Sequence, residues 1–227
     1  MAQATAVIAA AGSGVRLGAG GPKALVELAG RSLVKWSLDA CAAAETIADA
    51  VVAAPPALVG DFEAALADCP LPLRVVGGGE TRSGSVAAAL AGIESEISVV
   101  HDAARPLATA ALFDAVVTQL RDDSELDCVL AATPVTDTVK EVEGRAVVRT
   151  LDRSRLWAAQ TPQAFRTEAL RRALAAGSLA QATDDAMLVE ALGGRVAVHD
   201  ASPQNIKVTT HADLRTAAML LAGRDRG

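Results

Sequence analysis

The stretch Thr5-Ala6-Val7-Ile8-Ala9-Ala10-Ala11-Gly12-Ser13-Gly14 opens the reading of this chain. Its first six residues, Thr5–Ala10, are a short apolar run, and glycines follow at once. A run of that length with a glycine boundary predicts a buried strand entering a tight loop. Outward from it, strand and helix signals alternate. Ser32 is placed to cap a helix running through Cys41. Asp49–Ala54 reads as a strand stopped by Pro55-Pro56, and Ala57–Ala67 as a helix. Leu73–Val76 is strand-like and ends in Gly77-Gly78-Gly79, before an alanine-rich helix over Ser83–Ile93. Ile97–Val100 is another apolar strand, ending at His101-Asp102. A helix over Ala110–Leu120 and a strand over Cys128–Ala132, closed by Pro134, complete the series. Such alternation predicts an α/β fold, a mostly parallel twisted sheet with helices on both faces. Sheets of this kind bind ligands beyond the carboxyl ends of their strands.

After Pro134 the pattern changes. Thr138–Val142 and Ala146–Leu151 are β-branched runs around Glu143-Gly144-Arg145, a hairpin signal more polar than the core strands. They read as an arm projecting from the sheet. Helical patterns return at Thr167–Ala176 and Asp184–Leu192. Arg195–His199 and Ile206–Thr209 read as strands, and His211–Ala222 as a closing helix. The expected organisation is one domain over residues 1–227, with a β-arm at about 136–156.

Composition removes several classes of function. Asp and Glu number 27 against 21 Lys and Arg, a formal net charge of −6, so the chain lacks the electropositive surplus of a general nucleic-acid binder. Three Phe, two Trp and no Tyr leave few platforms for stacking bases. The longest apolar runs, such as Ala6–Ala11 and Ala217–Ala222, fall far short of the ~20 residues that span a bilayer. The start, Met1-Ala2-Gln3-Ala4-Thr5, has no charged leader region, so no signal peptide is expected. Cys41, Cys69 and Cys128 are odd in number and widely spaced, with no Cys-x-x-Cys, which argues against a disulfide framework or a zinc site. A cytoplasmic location is expected.

Four segments could carry chemistry. Ala10-Ala11-Gly12-Ser13-Gly14-Val15-Arg16 with Pro22-Lys23 joins a glycine loop to two cations. Its backbone N–H groups can face an anion closely, and Arg16 and Lys23 add full charge, so it reads as a phosphate site. The glycine spacing is one residue longer than the dinucleotide fingerprint, and no G-x-x-x-x-G-K-[ST] loop occurs. The second segment, His101-Asp102-Ala103-Ala104-Arg105-Pro106, lies at a strand end. Asp102 there suits either Mg²⁺, which takes one or two protein carboxylates, or a helix N-cap paired with Arg105. Strand alternation points His101 away from Asp102. The third, Gly77-Gly78-Gly79-Glu80-Thr81-Arg82-Ser83-Gly84-Ser85, could let backbone and a Ser85 hydroxyl read a planar base, but alone it reads as a capped strand-to-helix loop. The fourth, Asn205–Thr210, puts Lys207 and Thr209 on one face if extended, able to hold a phosphate or simply to be solvated. No His-Glu-x-x-His, Gly-x-Ser-x-Gly or nucleophilic cysteine signature appears.

As an ordered set these segments resemble the 2-C-methyl-D-erythritol 4-phosphate cytidylyltransferases of non-mevalonate isoprenoid biosynthesis. Pro134–Lys140, Gln160-Thr161-Pro162-Gln163, Thr183-Asp184-Asp185 and Asn205–Thr209 extend the resemblance over nearly the whole chain. It implies a Rossmann-like nucleotidyltransferase fold and a homodimer whose arm completes the partner's site. It also implies CTP and methylerythritol phosphate as substrates, with Mg²⁺. Arg16, Lys23 and Lys207 would then neutralise the CTP phosphates and the charge developing at the α-phosphorus, and Asp102 would hold Mg²⁺. Gly79, Glu80 and Ser85, with the backbone at Ala10 and Ala11 and the loop glycines Gly12 and Gly14, would bind CTP and read its cytosine. Arg105, Thr209 and, from the partner, Thr138 and Arg153 would hold the acceptor phosphate. Ala24 stands where the family usually has Gln, and Glu80 where Asp is common. Ribitol 5-phosphate cytidylyltransferase is the neighbouring reading, and a nucleotide binder without turnover the more distant one.

Overall fold

The computed structural model describes residues 4–12, 21–176 and 184–224. In chain order the elements are β1 (Ala4–Ala9), β2 (Glu27–Leu28), β3 (Arg31–Ser32), α1 (Leu33–Ala42), β4 (Ile47–Ala54), α2 (Val59–Ala65), β5 (Leu73–Gly77), α3 (Arg82–Leu90) and β6 (Ile97–Asp102). They continue as α4 (Ala110–Asp122), β7 (Cys128–Pro134), β8 (Lys140–Glu143), β9 (Ala146–Thr150), β10 (Trp157–Arg166), α5 (Thr167–Ala176), α6 (Ala186–Ala191), β11 (Val196–Asp200) and α7 (His211–Arg224). Seven strands form one sheet in the order β11-β7-β10-β6-β1-β4-β5. β1 sits between β6 and β4, parallel to both.

The alternation of β1 explains its unbroken apolar sequence. Ala4, Ala6 and Ile8 join a core with Val34 and Leu38 of α1, Phe62 of α2 and Phe113 and Val117 of α4. Val7 joins a second core with Val86 and Leu90 of α3, Leu170 of α5 and Val189 of α6. Helices therefore cover both faces of an α/β, mostly parallel, Rossmann-like sheet, and a strand between two dry layers has no polar face to show. A third cluster, built from Leu28, Leu33, Leu107, Val208, Ala217 and Leu221, docks α7 beside the main cores.

The structure departs from the sequence reading at four places. The one strand of the seven-stranded sheet that runs antiparallel to its neighbours, β10, was not anticipated; it inserts between β6 and β7. Its centre, Gln160-Thr161-Pro162-Gln163, carries no strand signal, because Pro and two amides break the apolar run. Ile206–Thr209 is not a strand. It is an irregular segment, tied by Val208 N–H to the Ala104 carbonyl at 2.8 Å. Residues 57–67 divide into a 3₁₀ turn, Pro56–Leu58, and the shorter α2. Ser32 stands at the N-cap position of α1, yet its hydroxyl caps nothing and is buried without a hydrogen bond.

The hairpin β8–β9 forms as expected, in a sheet of its own, and Gly144 takes φ +60° in its turn. No described helix is long and apolar enough to cross a membrane.

Phe165 is fully buried on β10, packed in the second core. Phe165→Ala should remove about 3–5 kcal/mol of stability, the usual cost of deleting a buried aromatic ring. Urea unfolding reads this as a lower midpoint at an unchanged slope.

Candidate active site

The strand ends of β1 and β6 meet across a hydrogen bond from Ala103 N–H to the Ala9 carbonyl, 3.2 Å. Beyond them opens a cavity of about 430 Å³. Its wall includes Ala10, Ala11 and Gly12 from the β1 loop, Lys23, Gly79 and Glu80, Arg82 and Ser85 of α3, Asp102, and Lys207. This is the carboxyl-end crevice where open α/β sheets bind ligands.

The loop after β5 passes close to the β1 loop and to the start of α3. A Cβ at Gly78 would stand 2.7 Å from Ser85 Oγ and 2.8 Å from Ala11 Cβ; one at Gly79 would stand 2.8 Å from the Gly84 carbonyl carbon. Glycine at both positions is therefore a packing requirement. Thr81 caps α3, its hydroxyl oxygen accepting from Gly84 N–H at 3.0 Å. The Ser85 hydroxyl is occupied within the loop, donating to the carbonyls of Thr81 at 2.9 Å and Gly79 at 3.3 Å.

Asp102 is the electrostatic centre. Arg82 Nε donates to its Oδ1 at 2.8 Å, and Lys207 Nζ to its Oδ2 at 2.6 Å. Burial works to raise the Asp102 carboxyl, but the two cations outweigh it and hold the group well below the usual carboxylate range. Arg82 also reaches the fully buried Asp185 through Nη1. Burial works against the Arg82 charge, and the two carboxylates more than restore it. Asp185 itself is pushed upward by burial, with Arg82 opposing.

Behind Asp102 lies a second polar chain. Asp102 N–H donates to Thr161 Oγ1 at 3.0 Å, so the Thr161 hydroxyl proton is free to go to His101 Nδ1, 3.1 Å away. His101 then carries its own proton on Nε2, facing the Arg105 carbonyl at 3.2 Å. The ring is fully buried against Phe113, with centroids 5.1 Å apart. Burial lowers its pKa to about 4.

The profile of the 2-C-methyl-D-erythritol 4-phosphate cytidylyltransferase family matches residues 4–223. The chain is 44% identical over 225 residues to the enzyme of that name from Parasynechococcus marenigrum strain WH8102, covering 97% of this chain and 98% of the relative. The chain belongs to this cytidylyltransferase family. Among solved structures, 4-diphosphocytidyl-2C-methyl-D-erythritol synthase from Anaerococcus prevotii DSM 20548 superposes with a TM-score of 0.84 at 28% identity, over 97% of this chain and 98% of that one. The cytidylyltransferase from Thermus thermophilus gives 0.76 at 32% identity, over 96% and 98%.

Most of the residues singled out from the sequence line this cavity. Gly14 and Arg16 lie outside the described residues. The pairing of Asp102 with Arg105 does not occur, because Arg105 turns to backbone instead, donating to the Asn205 carbonyl at 2.8 Å and the Ala159 carbonyl at 3.4 Å. Lys207 and Thr209 do not share a strand face. The Thr209 hydroxyl donates to Asp213 at 2.7 Å at the start of α7, and with the backbone N–H groups of Thr209 and Thr210 it brings the Asp213 carboxyl down to about 2. Thr138 and Arg153 lie on the exposed arm side of the chain, where Arg153 donates to the Thr136 carbonyl. Ala24 is buried in the main core and also lines the cavity beside Lys23, where it offers no polar side chain.

Arg82 and Asp185 were visible only as members of motifs, without a role. Their pairing spans 103 positions, which no local spacing displays.

The lowered His101 pKa fixes a sign for acid stability. Between the ordinary 6.5 and about 4, the unfolded chain takes a proton that the folded chain refuses. Stability is therefore lost as pH falls through that window, by about 3 kcal/mol in all. In His101→Gln, the slope of urea-unfolding free energy against pH between 7 and 4 should be shallower than in the wild type.

Proposed function

We propose that the chain transfers CMP from CTP to 2-C-methyl-D-erythritol 4-phosphate, giving 4-diphosphocytidyl-2-C-methyl-D-erythritol and pyrophosphate. The observation that carries this reading is the ion cluster of Asp102, Arg82 and Lys207 at the end of β6, facing the glycine loop of β1 across one cavity. An oxygen of the acceptor phosphate attacks the α-phosphorus of CTP, forming a new P–O bond. The bond from the α-phosphorus to the bridging oxygen breaks, and pyrophosphate leaves with the electron pair. The attacking oxygen is already ionised at neutral pH, so the step needs no general base. Catalysis is then positioning and charge stabilisation.

Arg16, Lys23 and Lys207 neutralise the triphosphate and the charge at the α-phosphorus. The backbone at Ala10, Ala11, Gly12, Gly14 and Gly79, with Glu80 and Ser85, receives the nucleotide. Ser85 contributes mainly by holding its loop, since its proton is spent on backbone carbonyls. Arg105 and Thr209, with the partner's Thr138 and Arg153, take the acceptor phosphate, Arg105 and Thr209 exchanging hydrogen bonds they now make within the chain.

The residues present fit a divalent cation. Asp102 lines the cavity as an ionised carboxylate, and each of its oxygens keeps a lone pair beyond its present hydrogen bond. Among the described residues no group of three or more His, Cys, Asp or Glu gathers, so most oxygens would come from phosphates and water, as is usual for Mg²⁺. When bound, Mg²⁺ supplies charge neutralisation at the phosphates.

The arm supports a homodimer. Val142, Val147 and Val148 are each more than half exposed on it, and Trp157 sits near its base at 39%. Val142 and Val147 pair across the hairpin and Val148 takes its other face, so apolar side chains stand bare on both sides. Such surface is expected to be covered in a folded assembly, and a second copy of this chain is the proposed occupant. Replacing Val147 and Val148 together by Asp should convert a dimeric elution mass to a monomeric one.

The deciding assay is pyrophosphate release from CTP with Mg²⁺, comparing methylerythritol phosphate with ribitol 5-phosphate. Release with the first acceptor is expected; release with ribitol phosphate alone would move the assignment to the sibling activity. Lys23→Ala and Lys207→Ala should each cut turnover about a hundredfold or more, the scale on which a transition-state charge partner acts. Their unfolding midpoints should stay near wild type.

A further inference from the structure

Asp185 lines no part of the cavity, and its side chain has no solvent exposure. It is nevertheless one guanidinium away from Asp102, because Arg82 holds one carboxylate with Nε and the other with Nη1. Lys207 meets only Oδ2 of Asp102, and its side chain is 43% exposed against 25% for Arg82. The two cations around Asp102 are therefore bound in different ways.

We propose that Asp185 is a positioning residue: it anchors Arg82 on Asp102, so that an incoming polyphosphate draws off Lys207 and leaves Arg82 in place. The inference rests on the nucleotidyl-transfer reading above. A triphosphate entering the cavity competes with Asp102 for both cations. Were Arg82 to turn toward it, Asp185 would be left as a buried carboxylate without a counter-ion, which is strongly unfavourable. Release of Lys207 strands no buried charge, since Asp102 keeps Arg82 and turns its freed oxygen to the cavity. The chemistry of the two side chains suits this division. A planar guanidinium spans two carboxylates at once, while an ammonium on a flexible stem is a point charge that can change partner.

Asp185→Asn keeps the shape and removes the charge. Without its anchor, Arg82 should turn onto the phosphates. CTP affinity measured by calorimetry in EDTA should then tighten by about threefold or more. Turnover should fall by about tenfold or more, because Asp102 loses its orientation. Adding Arg82→Gln to Asp185→Asn should abolish the gain in affinity. A merely structural role predicts the opposite pattern, with affinity, turnover and melting temperature falling together, and that result would overturn the proposal, as would wild-type turnover in Asp185→Asn. If Asp185→Asn does not fold, Arg82→Lys replaces it. That variant keeps the charge but cannot span both carboxylates, and should lose turnover about tenfold with CTP affinity retained; wild-type turnover there would equally overturn the anchor. A wild-type chain that binds CTP but transfers to neither acceptor would defeat the proposed function, while the metal-free affinities would still decide the role of Asp185. A wild-type chain that binds no CTP would overturn both.

Discussion

One guanidinium between two buried carboxylates is the interaction on which the site depends. Arg82 comes from the start of α3, Asp102 from the end of β6, and Asp185 from the turn before α6. Burying three charges costs free energy that only close pairing offsets. The helices α3 and α6 already share the second core, through Val86 and Val189, so the apolar packing brings the ion partners within reach. Once there, the pairing fixes the side-chain directions that apolar contacts leave open.

The antiparallel strand β10 supplies the next layer of constraint. It places Thr161 against the backbone of Asp102 and Gln160 against Asn205, whose side-chain amide donates to Gln160 Oε1 at 2.8 Å and to the Thr161 carbonyl at 2.9 Å. Arg105 holds the Asn205 carbonyl from the other side. Two residues later Lys207 reaches Asp102 at the cavity, and Val208 is buried in the cluster that docks α7. The segment has no sheet partner and does not alternate like a strand; buried Asn205 on one side and buried Val208 on the other hold the lysine between them.

These features mark where sequence alone could and could not be read. The strands β1, β4, β6 and β7 are legible because burial on both faces demands uninterrupted apolar residues, a local property of the chain. Asp102 is legible because it ends such a run. Strand β10 is not, because its buried polar centre is satisfied by residues far away in sequence, Asn205 and His101 among them. For the same reason the motif Thr183-Asp184-Asp185 announced itself as part of a family pattern but not as the counter-ion of Arg82. What a sequence displays is burial and turn chemistry; which cation meets which carboxylate is decided by the folded topology.

The same logic reconciles an acidic protein with polyanionic substrates. The net charge of −6 describes the whole surface, whereas a phosphate group responds to charges within about a Debye length, roughly 8 Å at physiological salt. The cavity is lined by three cations, Lys23, Arg82 and Lys207, and by two carboxylates, Asp102 and Glu80. Asp185, behind the wall, brings the cluster closer to balance and lets two cations remain packed beside each other before any anion arrives. A site of cations alone would bind phosphate more tightly but would be costly to assemble in the free protein. Neutralising it with one exposed, exchangeable pair and one buried, fixed pair gives the cavity a cation it can yield to substrate without losing its own geometry.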